Sequence, residues 1–345
     1  MARGHEGTAV RRVDIGIPCY KYGHYLEECV RSVLTQEGVD VRVLIVDDAS
    51  PDNSELVGRR LASEDPRVEY RRHAVNQGPS ASYNEPIDWA DAEYFLVLSA
   101  DDLLTPGALG RAVTLMEAHA DVVMAYGRVI HLRGAEDRPP CPPPRTFETR
   151  VVSGSQFCEE SCAKVANLVF TPTAVVRTSQ QKAIGPYRKD LPHTGDMDMW
   201  FRCAARGSIG FIDADQAYYR VHGQNMSTVQ YVGATDLNQQ WVVFEELFRT
   251  QGHRLGNPEL LDAHVRQDLA WRAFWMAGDH FERGERAACD ECIALAVRLW
   301  PDVRRTGAWL RFVCKSAVGP HAWSRLRPAV DALRGRRVRE TSPMG

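Results

Sequence analysis

The feature that most constrains the fold is an alternation of short apolar runs with amphipathic segments from residue 11 to residue 127. The segments between the runs place apolar residues on one helical face, as at Leu26, Val30 and Val33. Strands that alternate with helices predict a mainly parallel α/β sheet with helices on both faces. The runs interpreted as strands are Val13–Ile17, Val41–Val46, Val68–Arg72, Tyr94–Leu98 and Val122–Tyr126.

Candidate ligand-contacting residues follow three of these strands. Pro18 comes after the first, Asp47 and Asp48 after the second, and Asp101 and Asp102 after the fourth. In a parallel sheet, ligands bind beyond the carboxyl ends of the strands. Adjacent carboxylates at the end of a buried strand repel each other and lose hydration unless a cation holds them. Oxygen ligands suit Mg²⁺ or Mn²⁺, so Asp101 and Asp102 are predicted to form a metal site.

The rest of the chain gives a coarser prediction. Thr105 is expected to cap a helix with Pro106 at its first position, and the proline-rich stretch 138–145 is expected to be a surface loop. We predict one domain over residues 11–230, with a nucleotide-binding half (11–127) and an acceptor-facing half (145–230). A helical C-terminal extension is predicted over 235–340.

Charge and hydropathy exclude some functions. The 345 residues carry a net charge of −3, which argues against nucleic-acid binding by bulk electrostatics. No apolar run reaches the roughly 18–20 residues that cross a bilayer, and the start of the chain lacks a signal-like segment. We therefore expect a cytoplasmic protein.

The tail differs from the rest of the chain. Residues 291–340 hold eleven basic and four acidic residues, a net charge of +7, so the remainder carries −10. Tryptophans lie among these charges, at positions 300, 309 and 323. The pattern fits either a solvated helical face with tryptophans packed inward, which we favour, or peripheral contact with an anionic membrane surface.

Six motifs in a fixed order carry the functional prediction. They are IGIPCYKYGHYLEECVRSVLTQ (15–36), VDDASPDNS (46–54), NQGPSASYN (76–84), LSADD (98–102), GDMDMWFR (195–202) and YRVHGQNMS (219–227). Over residues 11–230 this order resembles glycosyltransferase family 2. The resemblance implies the Rossmann-like GT-A fold and an inverting, metal-dependent transfer from a nucleoside-diphosphate sugar.

The resemblance implies a role for each motif residue. Asp101 and Asp102 would hold Mg²⁺ or Mn²⁺ against the diphosphate, together with His222, and Asp101 would also approach the ribose. An isolated histidine is more often structural, so both readings of His222 stay open. The residues implied for the donor site are Pro18, Tyr20, Asp47, Asp48, Asn76, Gly78 and Asn84.

Several residues have a simpler interpretation as well. Tyr20 can stack on a nucleobase or pack in the ordinary way. The pair Asp47 and Asp48 can contact the nucleoside, or lie at the surface before a helix capped by Ser50 or Asp52.

Asp196 aligns with the family's catalytic aspartate, which implies that it is the general base that deprotonates the acceptor hydroxyl. It can also be an N-cap, because a helix is expected to begin there; Asp198 would then be the alternative base.

The sequence departs from the family pattern at four positions. Lys21 replaces an asparagine, Tyr83 replaces an arginine, Ser99 replaces an additional aspartate, and Gly195 replaces the glutamate before the base. We expect the changes at Lys21 and Tyr83 to alter donor choice and Gly195 to open the acceptor pocket.

A UDP-sugar is the favoured donor, with dTDP- and GDP-sugars open. The acceptor is expected to be a hydroxyl on a glycolipid, cell-wall precursor, natural product or polypeptide. Two alternatives are a sugar-phosphate nucleotidylyltransferase, for which the loop 18–23 is a poor triphosphate site, and a non-catalytic nucleotide-sugar-binding protein.

Overall fold

A computed structural model gives the architecture. It describes residues 10–133, 139–142, 144, 146–223, 225, 233–319, 322, 323 and 325. Parts of the predicted proline-rich loop and the tail beyond residue 325 lie outside these described residues, as does Ser227 of the last motif. Within the described part of the chain, no helix has both the length and the apolar character that a membrane span requires.

One mixed, mostly parallel sheet organises the larger part of the chain. Its order is β3-β2-β1-β4-β8-β6-β9-β5, with β7 paired to β9. The strands are β1 (Arg11–Cys19), β2 (Val39–Asp47), β3 (Val68–Arg72), β4 (Tyr94–Val97), β5 (Leu103–Leu104), β6 (Val122–Arg133), β7 (Thr149–Val152), β8 (Val175–Arg177) and β9 (Ser208–Val221).

The parallel half of the sheet sets the position of the site. β1 pairs in parallel with β2 and β4, in a register that puts Cys19 beside Asp47. β1 and β2 are buried along almost their whole length because they lie between helices on both faces. The carboxyl ends of β1, β2 and β4 therefore meet at one edge, as predicted.

Eleven α-helices are present among the described residues. They are α1 (Gly23–Leu34), α2 (Ser54–Glu64), α3 (Pro79–Trp89), α4 (Ala108–Ala118), α5 (Gly154–Lys164), α6 (Thr178–Ile184), α7 (Gly195–Ala204), α8 (Ala234–Gln251), α9 (Pro258–Arg283), α10 (Arg286–Leu299) and α11 (Gly307–Val318).

Two local predictions were wrong. α4 begins at Ala108 behind Gly107, whose φ of 72° only glycine adopts easily, so Thr105 and Pro106 precede the helix. The Thr105 hydroxyl instead donates to the carbonyl of Asp215. The second error concerns Asp196, because the N-cap position of α7 belongs to Thr194.

The chain divides into two compact units. Unit 1 comprises Met1–Gln230 and Leu247–Gly256, and unit 2 comprises Tyr231–Glu246 and Asn257–Gly345. Residues 247–256 thus belong to unit 1, where the Gln251 side chain donates a hydrogen bond to the carbonyl of Phe201. No sequence pattern signals this division.

Candidate active site

A cavity of about 550 Å³ opens in unit 1 beyond the carboxyl ends of β1 and β4. Its walls come from these strand ends, the loop before α3, and the residues that lead into α7. The predicted site residues that line it are Pro18, Tyr20, Asp48, Asn76, Gly78, Asp101, Asp102 and Asp196. Tyr219 and Asn225 of the last motif line the cavity as well, so the fold gathers residues from all six motifs around one space.

Asp101 and Asp102 lie at the floor of this cavity. Asp102 is buried, and one of its carboxylate oxygens accepts a hydrogen bond from the amide of Arg220 at 2.9 Å. Burial, followed by the negative charge of Asp101, raises the pKa of Asp102 well above its usual range. The guanidinium of Arg220 donates to the backbone carbonyl of Asp101.

His222 joins the pair from just beyond the end of β9. Its Nε2 lies 3.1 Å from Oδ2 of Asp101, and its ring packs against Tyr22 and Tyr25. It does not line the cavity itself. Its contact with Asp101 brings the three predicted metal ligands together.

The chemistry of the two carboxylates suits a divalent cation. Carboxylate oxygens are the ligands that Mg²⁺ and Mn²⁺ prefer, and Mn²⁺ also accepts an imidazole; a cation would relieve the repulsion within the buried pair. Among the described residues, no group of three or more His, Cys, Asp or Glu side chains is placed to hold a metal ion by itself. An ion here would therefore take its remaining ligands from phosphate or water.

Asp48 organises the loop that precedes α3. Its carboxylate accepts hydrogen bonds from the amides of Gln77 and Gly78 at 2.7 and 2.9 Å. It also lies 2.7 Å from Nδ1 of His73, whose Nε2 is 2.9 Å from Glu85 on α3. Asp48 thus fixes the stretch that carries Asn76 and Gly78 into the cavity wall.

Asp47 and Asn84 do not line the cavity. Asp47 is fully buried, and its oxygens accept from Tyr70, Arg72 and the amide of Ser50. The side-chain amide of Asn84 donates a hydrogen bond to the carbonyl of Tyr187 and accepts one from the backbone N–H of Tyr187. For both residues the described contacts support a positioning role instead of the predicted contact with the donor.

Asp196 also lines the cavity, from the first turn of α7. One oxygen accepts from the amide of Met197 at 2.7 Å, and the other accepts from Asn167 at 2.8 Å. Burial raises the pKa of Asp196, and the Met197 amide and nearby His193 offset only part of that shift. A raised pKa makes the carboxylate a stronger base.

Asp198 is poorly placed for the same task. It is buried, does not line the cavity, and pairs with Arg202 on the next turn at 2.8 Å. A carboxylate that is paired with a guanidinium and does not line the cavity cannot reach an acceptor hydroxyl bound there. Between the two candidates, the geometry favours Asp196.

Two of the four departures from the family pattern touch each other. The hydroxyl of Tyr83 lies 3.1 Å from that of Ser99 in the cavity wall. Burial, and then the charges of Asp101, Asp196 and Asp102, raise the pKa of Tyr83, although the bond to Ser99 opposes the shift. Tyr83 therefore keeps its proton and presents a neutral hydroxyl among carboxylates.

Sequence reasoning missed other residues of the wall. Asn167 and Thr171 contact Asp196, and Phe170 lies between them in sequence. None of them belongs to a motif, so no sequence pattern pointed to them.

Part of the sequence that builds this site matches a known protein family. Residues 14–161 match the family model described as Glycosyl transferase family 2. The chain is therefore similar to glycosyltransferase family 2 over the strands that lead to Asp48, Asp101 and Asp102. It is 28% identical over 223 residues to an uncharacterized glycosyltransferase of Nostoc sp., with 62% of this chain and 66% of the relative covered. The chain thus spans slightly less than two thirds of that relative.

Solved structures with the GT-A fold are similar to this chain. S. aureus TarS 1-349 in complex with UDP-GlcNAc aligns with a TM-score of 0.62 at 16% identity, covering 85% of this chain and 82% of TarS. The mannosyltransferase PcManGT from Pyrobaculum calidifontis, in complex with GDP-Man and Mn²⁺, aligns with a TM-score of 0.57 at 14% identity. That alignment covers 97% of this chain and 89% of PcManGT.

Proposed function

We propose that this protein is a metal-dependent, inverting glycosyltransferase that moves a sugar from a UDP-sugar to an acceptor hydroxyl. One observation carries the proposal: a single cavity is lined by the carboxylates of Asp101 and Asp102 and also by Asp196. Inverting transfer needs both groups, one for the departing diphosphate and one for the incoming hydroxyl.

The donor site is assigned to the strand-end side of the cavity. Tyr20 is 40% exposed there, so its ring is available to a nucleobase. Asn76 and Gly78 supply a polar rim, held in place by Asp48. The fold neighbours bound to UDP-GlcNAc and to GDP-Man support a nucleoside-diphosphate sugar as the donor.

Asp101, Asp102 and His222 would hold a divalent ion, either Mn²⁺ or Mg²⁺. The ion, when bound, supplies positive charge that stabilises the leaving diphosphate. The fold neighbour in complex with GDP-Man and Mn²⁺ supports a divalent metal. Arg220 would orient the aspartate pair through the hydrogen bonds described above.

Asp196 is assigned as the general base. Its Oδ2 accepts from Asn167 and Thr171, and its Oδ1 accepts from Met197, which fixes the carboxylate at the cavity wall. It would take the proton of the acceptor hydroxyl as that oxygen attacks the anomeric carbon from the side opposite the diphosphate. The proposed acceptor class is a glycolipid, cell-wall precursor, natural product or polypeptide.

A binding panel tests the assignment. The protein is heated with UDP, GDP and dTDP and with their sugars, with and without Mn²⁺, and hydrolysis of each donor is followed. We expect the largest shift with a UDP-sugar and Mn²⁺, about 2.7 kcal/mol when the donor is present at about 100 times its Kd.

The variant Asp102→Ala is expected to lose the metal-dependent part of this stabilisation, because it removes one of two carboxylate ligands. The exposed Asp213→Ala is the matched control. Equal stabilisation of Asp102→Ala and the parent would overturn the metal assignment. Binding without any turnover would indicate a non-catalytic nucleotide-sugar-binding protein.

A further inference from the structure

Unit 2 carries an apolar helical surface whose role is independent of the proposed function. Helix α11 has no buried residue, although more than half of its residues are apolar. Its exposed apolar residues recur at helical spacing and form one stripe, called the α11 stripe: Leu310, Val313, Cys314, Ala317 and Val318.

The other face of α11 packs against helix α9 within unit 2. Trp309 and Phe312 pack against Phe274 of α9, with ring centroids 6.0 and 5.6 Å apart. Lys315 donates to Glu282 at 2.7 Å. The helix is thus held by its inner face, and the α11 stripe remains outward, with Leu310 65% exposed and Val313 46% exposed.

Basic residues outnumber acidic residues around the stripe. Residues 302–330 contain six basic residues and one acidic residue, Asp302, which pairs with Arg305 at 2.9 Å. Among them, Arg304, Arg305 and Arg311 have exposed side chains on or just before α11. Trp275, 60% exposed on α9, adds an aromatic ring next to Phe274. The exposed apolar and cationic groups of α11 are the composition of an interfacial membrane helix, and α9 adds an exposed tryptophan to the same unit.

We propose that the α11 stripe docks this protein on an anionic lipid bilayer, with the stripe in the acyl boundary and the arginines among the headgroups. A second copy of the chain is disfavoured because a twofold contact would set these arginines against each other. The chain's own residues 326–345 supply no negative complement, since they are net basic themselves.

Vesicle flotation of the full-length protein tests this proposal. We expect binding to vesicles of phosphatidylcholine with phosphatidylglycerol, at least tenfold weaker binding to phosphatidylcholine alone, and a decline with added salt. The double variant Leu310→Glu/Val313→Glu is expected to bind at least tenfold less tightly. Leu260→Glu is the matched control, because Leu260 is 67% exposed on α9 but lies outside the stripe.

Circular dichroism melting of each variant establishes that folding is intact. Failure of the parent to float with anionic vesicles, or unchanged flotation of the double variant, would overturn the proposal. So would light scattering that shows a dimer in the parent and a monomer in the double variant, because the stripe would then belong to a second copy. An environment-sensitive fluorophore on exposed Cys314 should shift to shorter wavelength with anionic vesicles, and an unchanged spectrum would contradict insertion.

Discussion

At the level of single residues, the carboxylates in and near the cavity differ in their surroundings. Asp102 is buried beside another aspartate, Asp196 accepts neutral donors, and Asp198 faces Arg202. These differences lead to different expected roles, because a neighbouring charge decides whether a carboxylate binds a cation, takes a proton or stays paired.

Asp196→Asn should retain donor binding and lose transfer by about 10²–10⁴-fold, the usual contribution of a general base. Single-turnover transfer and donor affinity, measured together, check this. Asp198→Asn is the comparison variant. Because it breaks the ion pair with Arg202, it should lower the free energy of unfolding but reduce transfer less than Asp196→Asn does. Near-normal transfer by Asp196→Asn would show that another residue is the general base.

Tyr83→Phe should lower kcat/KM for the donor by about tenfold, the worth of about one hydrogen bond, and leave UDP affinity unchanged. The reason is that Tyr83 presents a neutral hydroxyl between the two carboxylate sites. Ser99→Ala breaks the same Tyr83–Ser99 bond but keeps the phenol, so it should cost less. Parent-like kinetics for Tyr83→Phe would contradict this role.

At the level of secondary-structure elements, the loop between β3 and α3 is fastened to β2 through a charged bridge. His73 spans Asp48 and Glu85, and both of its nitrogens can donate only when the ring is protonated. Burial alone would lower the pKa of His73, but the hydrogen bonds to Asp48 and Glu85 outweigh it and raise the pKa. The bridge should therefore be strongest when the ring is charged.

The sign of the pH dependence follows from that raised pKa. The bridge contributes fully below the pKa of an unfolded histidine, about 6.5, and its contribution is lost as pH rises through the higher folded value. His73→Gln should flatten the fall in melting temperature between about pH 6 and pH 8, a difference of about 1 kcal/mol. The substitution His119→Gln, at an exposed histidine, is the control. If melting temperature depended on pH in the same way for the parent and His73→Gln, the proposed charged bridge would be contradicted.

At the level of the whole molecule, the sheet is clamped at the edge opposite the cavity. Asp14, near the start of β1, is fully buried and accepts from Arg42 of β2 and from the amides of Asp91 and Ala92. Burial would raise the pKa of Asp14, but the hydrogen bonds from Arg42 and both amides lower it. One side chain therefore joins β1, β2 and the connection into β4.

Asp14→Asn should lower the free energy of unfolding by about 1–3 kcal/mol near neutral pH, measured by chemical denaturation. Because the folded pKa is lowered, this contribution is present above the unfolded value of about 3.9 and is lost as pH falls through the folded value. The difference in the free energy of unfolding between the parent and Asp14→Asn should disappear only at acidic pH. The exposed Asp40→Asn on β2 should show no comparable loss.

Local patterns in the chain were enough to predict the parallel half of the sheet and the polar residues at its strand ends. Periodicity and apolar runs predicted β1, β2, β3 and β4 and placed Asp101 and Asp102 at the correct edge. Which of these side chains face the cavity depended on three-dimensional packing. Asp47 turns to Tyr70 and Arg72, whereas Asp48 lines the wall, although the two are neighbours in the chain.

Contacts between distant segments were also beyond the reach of local patterns. His222 reaches Asp101 across 121 residues, and Arg220 reaches Asp102 across 118. β9, which carries Arg220 and leads into His222, was not predicted as a strand. Its pairing with β6, β5 and β7 is non-local, so no pattern within the segment shows it. Folding alone brings these side chains together, because their separation in space depends on the packing of the whole sheet.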